Sequence, residues 1–272
     1  MPITVDDVDF GLKLAEFRIN GFVVFEDMID PARVDRIHEA FKRLMAGVVA
    51  RETAISASQE HGEVATGRGR QNMKGRYTMT IPWVEPFADP AIYEHPVVLA
   101  FLDRYWQTDD YVITCSHSNT PYPGTDFQHW HRDTKLGSEL PGVYLGRVPV
   151  VGVKYPLVDT SEANGSIEVL PCTQYLAEGD LEGRYDDLLT TGDFSTTRRL
   201  NLKKGSMWIQ DVRTLHRGTA NPSDAPRPEI VTCYCKRWFA IDQHVELTRE
   251  TYAALSDRGK RMLRRWAVEP RA

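Results

Sequence analysis

Phe127-Gln128-His129-Trp130-His131-Arg132-Asp133 is the stretch on which the reading of this chain turns. Read as a strand over 126–133, its alternate side chains share one face. His131 and Asp133 then project together, with His129 beside them. An imidazole and a carboxylate two residues apart can grip one ion. They leave the third corner of an octahedral face to a neighbouring strand.

Working outward, β-type segments dominate from Arg76 onward. Strands are predicted at 76–81, 110–118, 126–133, 147–158, 165–170, 197–202, 206–210 and 228–239, rich in Val, Ile, Tyr, Trp and Thr. Phe22-Val23-Val24-Phe25 reads as an earlier buried strand. Helical spacing is found over 5–19, over 31–48 behind Asp30 and Pro31, and over 95–106 and 248–267. Residues 49–75 are polar and glycine-bearing, and read as a long loop or a lid over a pocket. The order predicts one α+β domain, mainly β, over 1–272. Its N-terminal helices fall at about 5–48, a sandwich or barrel core at about 76–240 and a C-terminal helix at about 248–267.

Composition narrows the function. The chain has 272 residues, 33 Lys+Arg against 38 Asp+Glu, and a formal charge of −5. Such a balance has no bulk attraction for phosphate backbones or anionic lipid, which argues against nucleic acid as partner. No stretch has the length and apolarity of a membrane span, and the acidic N-terminus lacks the pattern of a secretory signal. Cys115, Cys172, Cys233 and Cys235 form no C-x-x-C pair and read as free thiols. As strand neighbours, Cys233 and Cys235 would share a face. The expected compartment is the cytoplasm, and the expected partner a small-molecule substrate; oligomeric state is not legible.

The third metal ligand is expected to be His216, in Asp211-Val212-Arg213-Thr214-Leu215-His216. Two histidines and one carboxylate make the facial triad typical of non-haem Fe(II) oxygenases, which leaves three coordination positions for co-substrate and O2. Arg227 follows His216 by eleven residues, across the turn formers Asn221-Pro222-Ser223-Asp224. Folding back there brings Arg227 opposite His216, where its guanidinium can hold a carboxylate by two parallel hydrogen bonds. An iron site with such a clamp suits a chelating keto acid. Structural alternatives stand beside these readings. His131 and Asp133 could form a buried hydrogen bond, Arg227 could lie on the surface, and His129 could be a rival ligand or a packing group. Lys74, Arg76, Lys154 and Tyr155 are pocket candidates or plain structural residues, and Asp211 with Arg213 either orients His216 or forms a local ion pair.

Gln128 to Asp133, Asp159-Thr160 through Asn164-Gly165-Ser166 to Leu170-Pro171, Lys204-Gly205-Ser206, and His216-Arg217-Gly218 with Asn221, Ser223 and Arg227 occur in an order that resembles the phytanoyl-CoA dioxygenase family of Fe(II)/2-oxoglutarate-dependent oxygenases. The resemblance implies a double-stranded β-helix core of the jelly-roll, cupin-like kind. It implies Fe(II) held by His131, Asp133 and His216, 2-oxoglutarate on Arg227, and a co-substrate contact from Thr134. It further implies oxidative decarboxylation of 2-oxoglutarate to succinate and CO2, coupled to C–H hydroxylation, desaturation or ring closure of a small molecule such as a secondary metabolite. A carboxylate at Asp133 argues against halogenation. Two positions depart from the family pattern. Cys172-Thr173-Gln174 stands where Gly-Ser-His is usual, a difference expected to bear on the substrate side. Gly218 stands where a small hydroxyl residue is common, which alters the hydrogen-bond set expected around the co-substrate. Other functional classes are a non-catalytic cupin-like binding protein and a hydroxylase of peptide side chains.

Overall fold

The computed structural model describes residues 3–58, 69–133, 146–176, 194–239, 245 and 247–266. After a 3-10 turn at Val5–Asp7 come α1 (Phe10–Asn20), β1 (Phe22–Phe25), α2 (Pro31–Ser58), β2 (Gly69–Met73) and β3 (Arg76–Thr80). Next are α3 (Pro90–Tyr93), α4 (Pro96–Trp106), β4 (Tyr111–Pro121), β5 (Val150–Pro156) and the short strands β6 (Glu168–Val169) and β7 (Arg198–Arg199). The chain continues through β8 (Met207–Asp211), β9 (His216–Arg217) and β10 (Glu229–Lys236) to α5 (Arg249–Ala254) and α6 (Asp257–Met262). The strands form an antiparallel seven-stranded sheet, β1-β8-β5-β10-β4-β3-β2, and a three-stranded sheet, β7-β6-β9.

Alternation along β1 shows how the layers stack. Phe22 and Val24 join Trp208 against Ile167, Val169, Leu200 and Leu202 of the small sheet and its flanks. Val23 and Phe25 belong instead to the large core that includes the helices. A strand buried on both faces reads as a continuous apolar run, which is why Phe22–Phe25 shows no polar alternation. On the helix side, Phe17 packs edge-on against Phe101 and Tyr105, with centroids 5.5 and 4.9 Å away. Gly21, at φ 79°, ends α1 and turns the chain directly into β1.

Three expectations are corrected. Residues 126–133 form no regular strand; only His131 makes a ladder bridge, with His216. Among the described residues the segment pairs with 212–221, and two of its carbonyls are drawn off by side chains: that of Asp126 accepts from Arg76 Nη2, that of His129 from His131 Nδ1. The loop expected over 49–75 is helical as far as Ser58 and pairs as β2 from Gly69; 59–68 lie outside the described residues. The C-terminal helix is two short helices broken at Leu255 and Ser256, where Ser256 caps α6 by accepting from Gly259 N–H, followed by a 3-10 turn at Arg264–Trp266. The register shift opposite Cys233 and Tyr234 lies in β4, where Thr114 is the extra residue; β10 stays in register with β5, so Cys233 and Cys235 keep the shared face of alternate strand residues. Cys233 keeps company with Cys115 and His117, and the Cys235 thiol lies 3.6 Å from the Phe239 carbonyl.

Candidate active site

The site forms where the irregular segment 124–133 runs antiparallel to 212–221. Gln128 N–H donates to Gly218 O at 2.8 Å, His131 and His216 exchange both backbone bonds at 3.0 Å, and Asp133 N–H donates to Val212 O at 3.0 Å. Directly opposed residues of an antiparallel pair place their side chains on the same face. That register brings the two imidazoles together, with ring centroids 4.4 Å apart. Asp133 follows two residues on, and its Oδ1 lies 3.4 Å from His216 Nε2. One ligand atom from each of His131, Asp133 and His216 lies within 4.8 Å of the other two. Two ring nitrogens and a carboxylate oxygen so placed can hold one divalent cation, and the donor set suits iron.

Ring orientation supports the same use. His131 Nδ1 lies 2.9 Å from the His129 carbonyl, which can only accept, so Nδ1 carries the proton and Nε2 offers its lone pair. Burial, with His216 adjacent, pushes His131 down to about 4, so the ring is neutral near pH 7. Burial opposes ionisation of Asp133, but His216 and Lys154 outweigh it and hold the carboxyl well below the usual range. His129 is exposed and lines, with Phe127, Gln128 and His131, a cleft of about 370 Å³. It contributes its carbonyl rather than its ring. Thr134 lies outside the described residues.

The turn between His216 and Arg227 forms at 221–225. Asn221 closes that turn, its Nδ2 donating to Pro121 O and Ala225 O at 3.0 and 2.9 Å. Arg227 is 1% exposed, and its Nε, Nη1 and Nη2 have no hydrogen-bond partner among the described residues. A buried guanidinium with idle donors is costly unless an anion meets it. Burial lowers its pKa, against the pull of Glu229. A second guanidinium stands beside it. Arg76 pairs with Pro121 across the β3–β4 ladder, while Arg227 N–H donates to Pro121 O at 3.1 Å. Arg76 is fully buried; Nη2 donates to Thr219 O at 3.0 Å, and Nε and Nη1 are unpartnered among the described residues. Burial and the neighbouring Arg227 push Arg76 down to about 9. Gly218 makes room for it, since a Cβ there would overlap Arg76 Nη1 and Gln128 Oε1. The position that lacks the family's hydroxyl is thus occupied by a guanidinium from another strand.

Lys154 also reaches the site, 3.8 Å from Asp133 Oδ2 and 4.6 Å from the centre of the Trp208 ring. Sequence reasoning placed Arg76 and Lys154 among several pocket candidates, without a signal to single them out. Tyr155 is buried in the core shared with the helices, and Lys74 is exposed. Asp211 and Arg213 form a buried ion pair with each other at 2.7 Å, the local reading of that pair. Thr173 and Gln174 make structural bonds: Thr173 Oγ1 donates to Leu170 O and accepts from Leu215 N–H, and Gln174 Nε2 donates to Arg18 O. Cys115, His117 and Cys233 form a further cluster of donor atoms on the same sheet.

The model of the phytanoyl-CoA dioxygenase family matches residues 17–228, more than three quarters of the chain. The chain belongs to the phytanoyl-CoA dioxygenase family. The match takes in both halves of the candidate site, from Arg76 through His131 to Arg227. Among solved structures, AviO1 from Streptomyces viridochromogenes Tue57 superposes with a TM-score of 0.60 at 18% identity, covering 88% of this chain and 99% of that one. SnoK, described as a non-haem alpha-ketoglutarate-dependent carbocyclase from nogalamycin biosynthesis, gives 0.60 at 16%, covering 94% of each. EvdMO1 gives 0.56 at 20%, over 84% of this chain and 50% of that one. At such identities the likeness is one of fold: mixed α/β, mainly antiparallel β. No curated protein matches the chain by sequence.

Proposed function

We propose that this member of the phytanoyl-CoA dioxygenase family is an Fe(II)/2-oxoglutarate-dependent oxygenase of a small molecule. It oxidises an unactivated C–H bond, by hydroxylation, desaturation or ring closure, and releases succinate and CO2. The observation that carries the reading is the buried guanidinium of Arg227, without a hydrogen-bond partner among the described residues, taken together with the cluster of His131, Asp133 and His216. A metal triad alone would suit many proteins. A triad with an idle buried cation next to it suits a metal-chelating acid whose far carboxylate needs a partner.

His131 through Nε2, Asp133 through a carboxylate oxygen and His216 would hold the iron. Arg227, joined by Arg76, would take the distal carboxylate of 2-oxoglutarate. When bound, iron and 2-oxoglutarate supply the O2 activation and the oxidising power. The chain's own part is positional. The His131–His216 backbone bridge sets the spacing of the imidazoles, and the His129 carbonyl fixes one tautomer. The buried guanidinia fix the direction in which the keto acid lies. The two facing sheets support the reading of the core as a double-stranded β-helix. The name of SnoK supports a place in secondary metabolism. The acidic balance supports a partner other than nucleic acid, and free cysteines without a disulfide pattern support a reducing, cytoplasmic location.

The test is anaerobic titration with Fe(II) and 2-oxoglutarate, followed by assay of succinate release with candidate substrates. Visible charge-transfer absorption and succinate formation are expected in the wild type. Both are expected to vanish in a folded Asp133→Ala variant. Turnover by that variant, or a wild type that takes up no iron, would leave a cupin-like binding protein as the better reading.

A further inference from the structure

The strand registers aim two polar side chains at the rear of the metal ligands. Lys154 pairs with Trp208 between β5 and β8, and Gln210 lies two residues further along β8. Both are buried. Lys154 Nζ donates to Gln210 Oε1, and its other neighbour is Asp133 Oδ2 at 3.8 Å. An ammonium only donates, so it orients the Gln210 carbonyl toward itself and the amide NH2 toward His216. Gln210 Nε2 accordingly lies 2.8 Å from His216 Nδ1. The path closes at Asp133, whose Oδ1 faces His216 Nε2 at 3.4 Å.

We propose that Lys154 is a positioning residue of the metal centre: it holds Asp133 to one-oxygen ligation and, through Gln210, moderates His216 as a ligand. The two oxygens of Asp133 face different partners. Oδ1 looks toward His216 and the ligand cluster, whereas Oδ2 looks toward the ammonium. A carboxylate free to swing would offer a cation both oxygens and occupy a position that co-substrate or O2 needs. His216 Nδ1 meets two neighbours with opposite demands. The Thr214 carbonyl, 3.0 Å away, accepts a proton from Nδ1, whereas the Gln210 amide offers one to it. Metal ligation through Nε2 requires the first arrangement, and Lys154 maintains the second by holding the amide in place. Both effects, together with the positive charge itself, weaken metal binding in exchange for open coordination positions.

The inference rests on the metal-centre reading, and the experiment separates the two. Co(II) is titrated under anaerobic conditions into the wild-type chain, Lys154→Met and Lys154→Arg. Dissociation constants and visible d–d spectra are recorded without any turnover, and circular dichroism checks folding. Lys154→Met is expected to bind Co(II) about tenfold or more tightly, the scale of effects from groups behind metal ligands. Its d–d spectrum is expected to change as Asp133 gains a second bond, while Lys154→Arg restores the wild-type spectrum. Identical constants and spectra for wild type and a folded Lys154→Met would overturn the proposal and leave the metal centre standing. Failure of the wild type itself to bind Co(II) would remove both. Should Lys154→Met not fold, Lys154→Gln, neutral and nearly as long, carries the same comparison.

Discussion

Arg227 and Arg76 carry the sharpest consequences at the scale of single residues. Charge-assisted hydrogen bonds contribute about 1.5–3 kcal/mol each, so truncation of a clamp costs roughly 10- to 100-fold in affinity. Arg227→Ala is therefore expected to raise the 2-oxoglutarate KM by that factor, with iron binding unchanged; an unchanged KM removes Arg227 from the clamp. Gly218→Ala tests Arg76 indirectly. The added methyl would displace the Arg76 guanidinium and the Gln128 amide, the flexible ends of their side chains. The variant is expected to fold while its 2-oxoglutarate KM rises, as measured by succinate release. Sequence reasoning noted Gly218 as a departure from the family pattern. It had no means of knowing that a guanidinium 142 residues earlier fills the space, because that contact depends on how β3 meets the 212–221 segment.

At the scale of elements, the regular pieces were legible where their signals are local. Phe22–Phe25 is a strand because its two faces serve two cores, and α2 begins at Pro31 as the proline-first pattern predicts. The segment 126–133 was misread as a strand, yet its ligands still converge. What aligns them is the backbone pairing with 212–218, and intrinsic strand character is not needed for that. The turn before β8 makes a separate prediction. Gly205 sits at φ 95°, its carbonyl accepts from the N–H groups of Met28 and Ile29 at 2.9 Å each, and a Cβ would meet Ile29 O at 2.5 Å. Gly205→Ala combines a backbone conformation foreign to L-residues with an immovable neighbour. It is expected to cost about 2 kcal/mol or more, read as a lowered Tm. A Tm equal to that of the wild type would contradict this account of the turn.

At the scale of the whole molecule, buried histidines link stability to pH. Burial pushes His117 and His131 to about 4, and lowers His95, which donates from Nε2 to Met28 O. Unfolded, these rings protonate near 6.5. Between those values the unfolded chain binds more protons than the fold, so stability falls with acidification through 6.5 and the loss from His117 and His131 levels off below about 4. Thermal unfolding of metal-free protein is expected to show a falling Tm from about pH 7 to pH 5, with a shallower slope in His117→Gln. A flat profile in the wild type would mean that these rings are protonated in the fold.

By itself the sequence determined which side chains can hold a metal and how they are spaced. It also determined that turn formers separate His216 from Arg227, and that strands outweigh helices beyond Arg76. Those features are written in neighbouring residues, where turn chemistry and side-chain periodicity act within a few positions of one another. Only the tertiary structure decided that Arg76 and Lys154 point at the site and that Gln174 and Tyr175 brace the end of α1. The placement of Arg76 and Lys154 follows from the register of strands distant in the chain. A slip of one residue in such a ladder would turn both of these side chains to the opposite face.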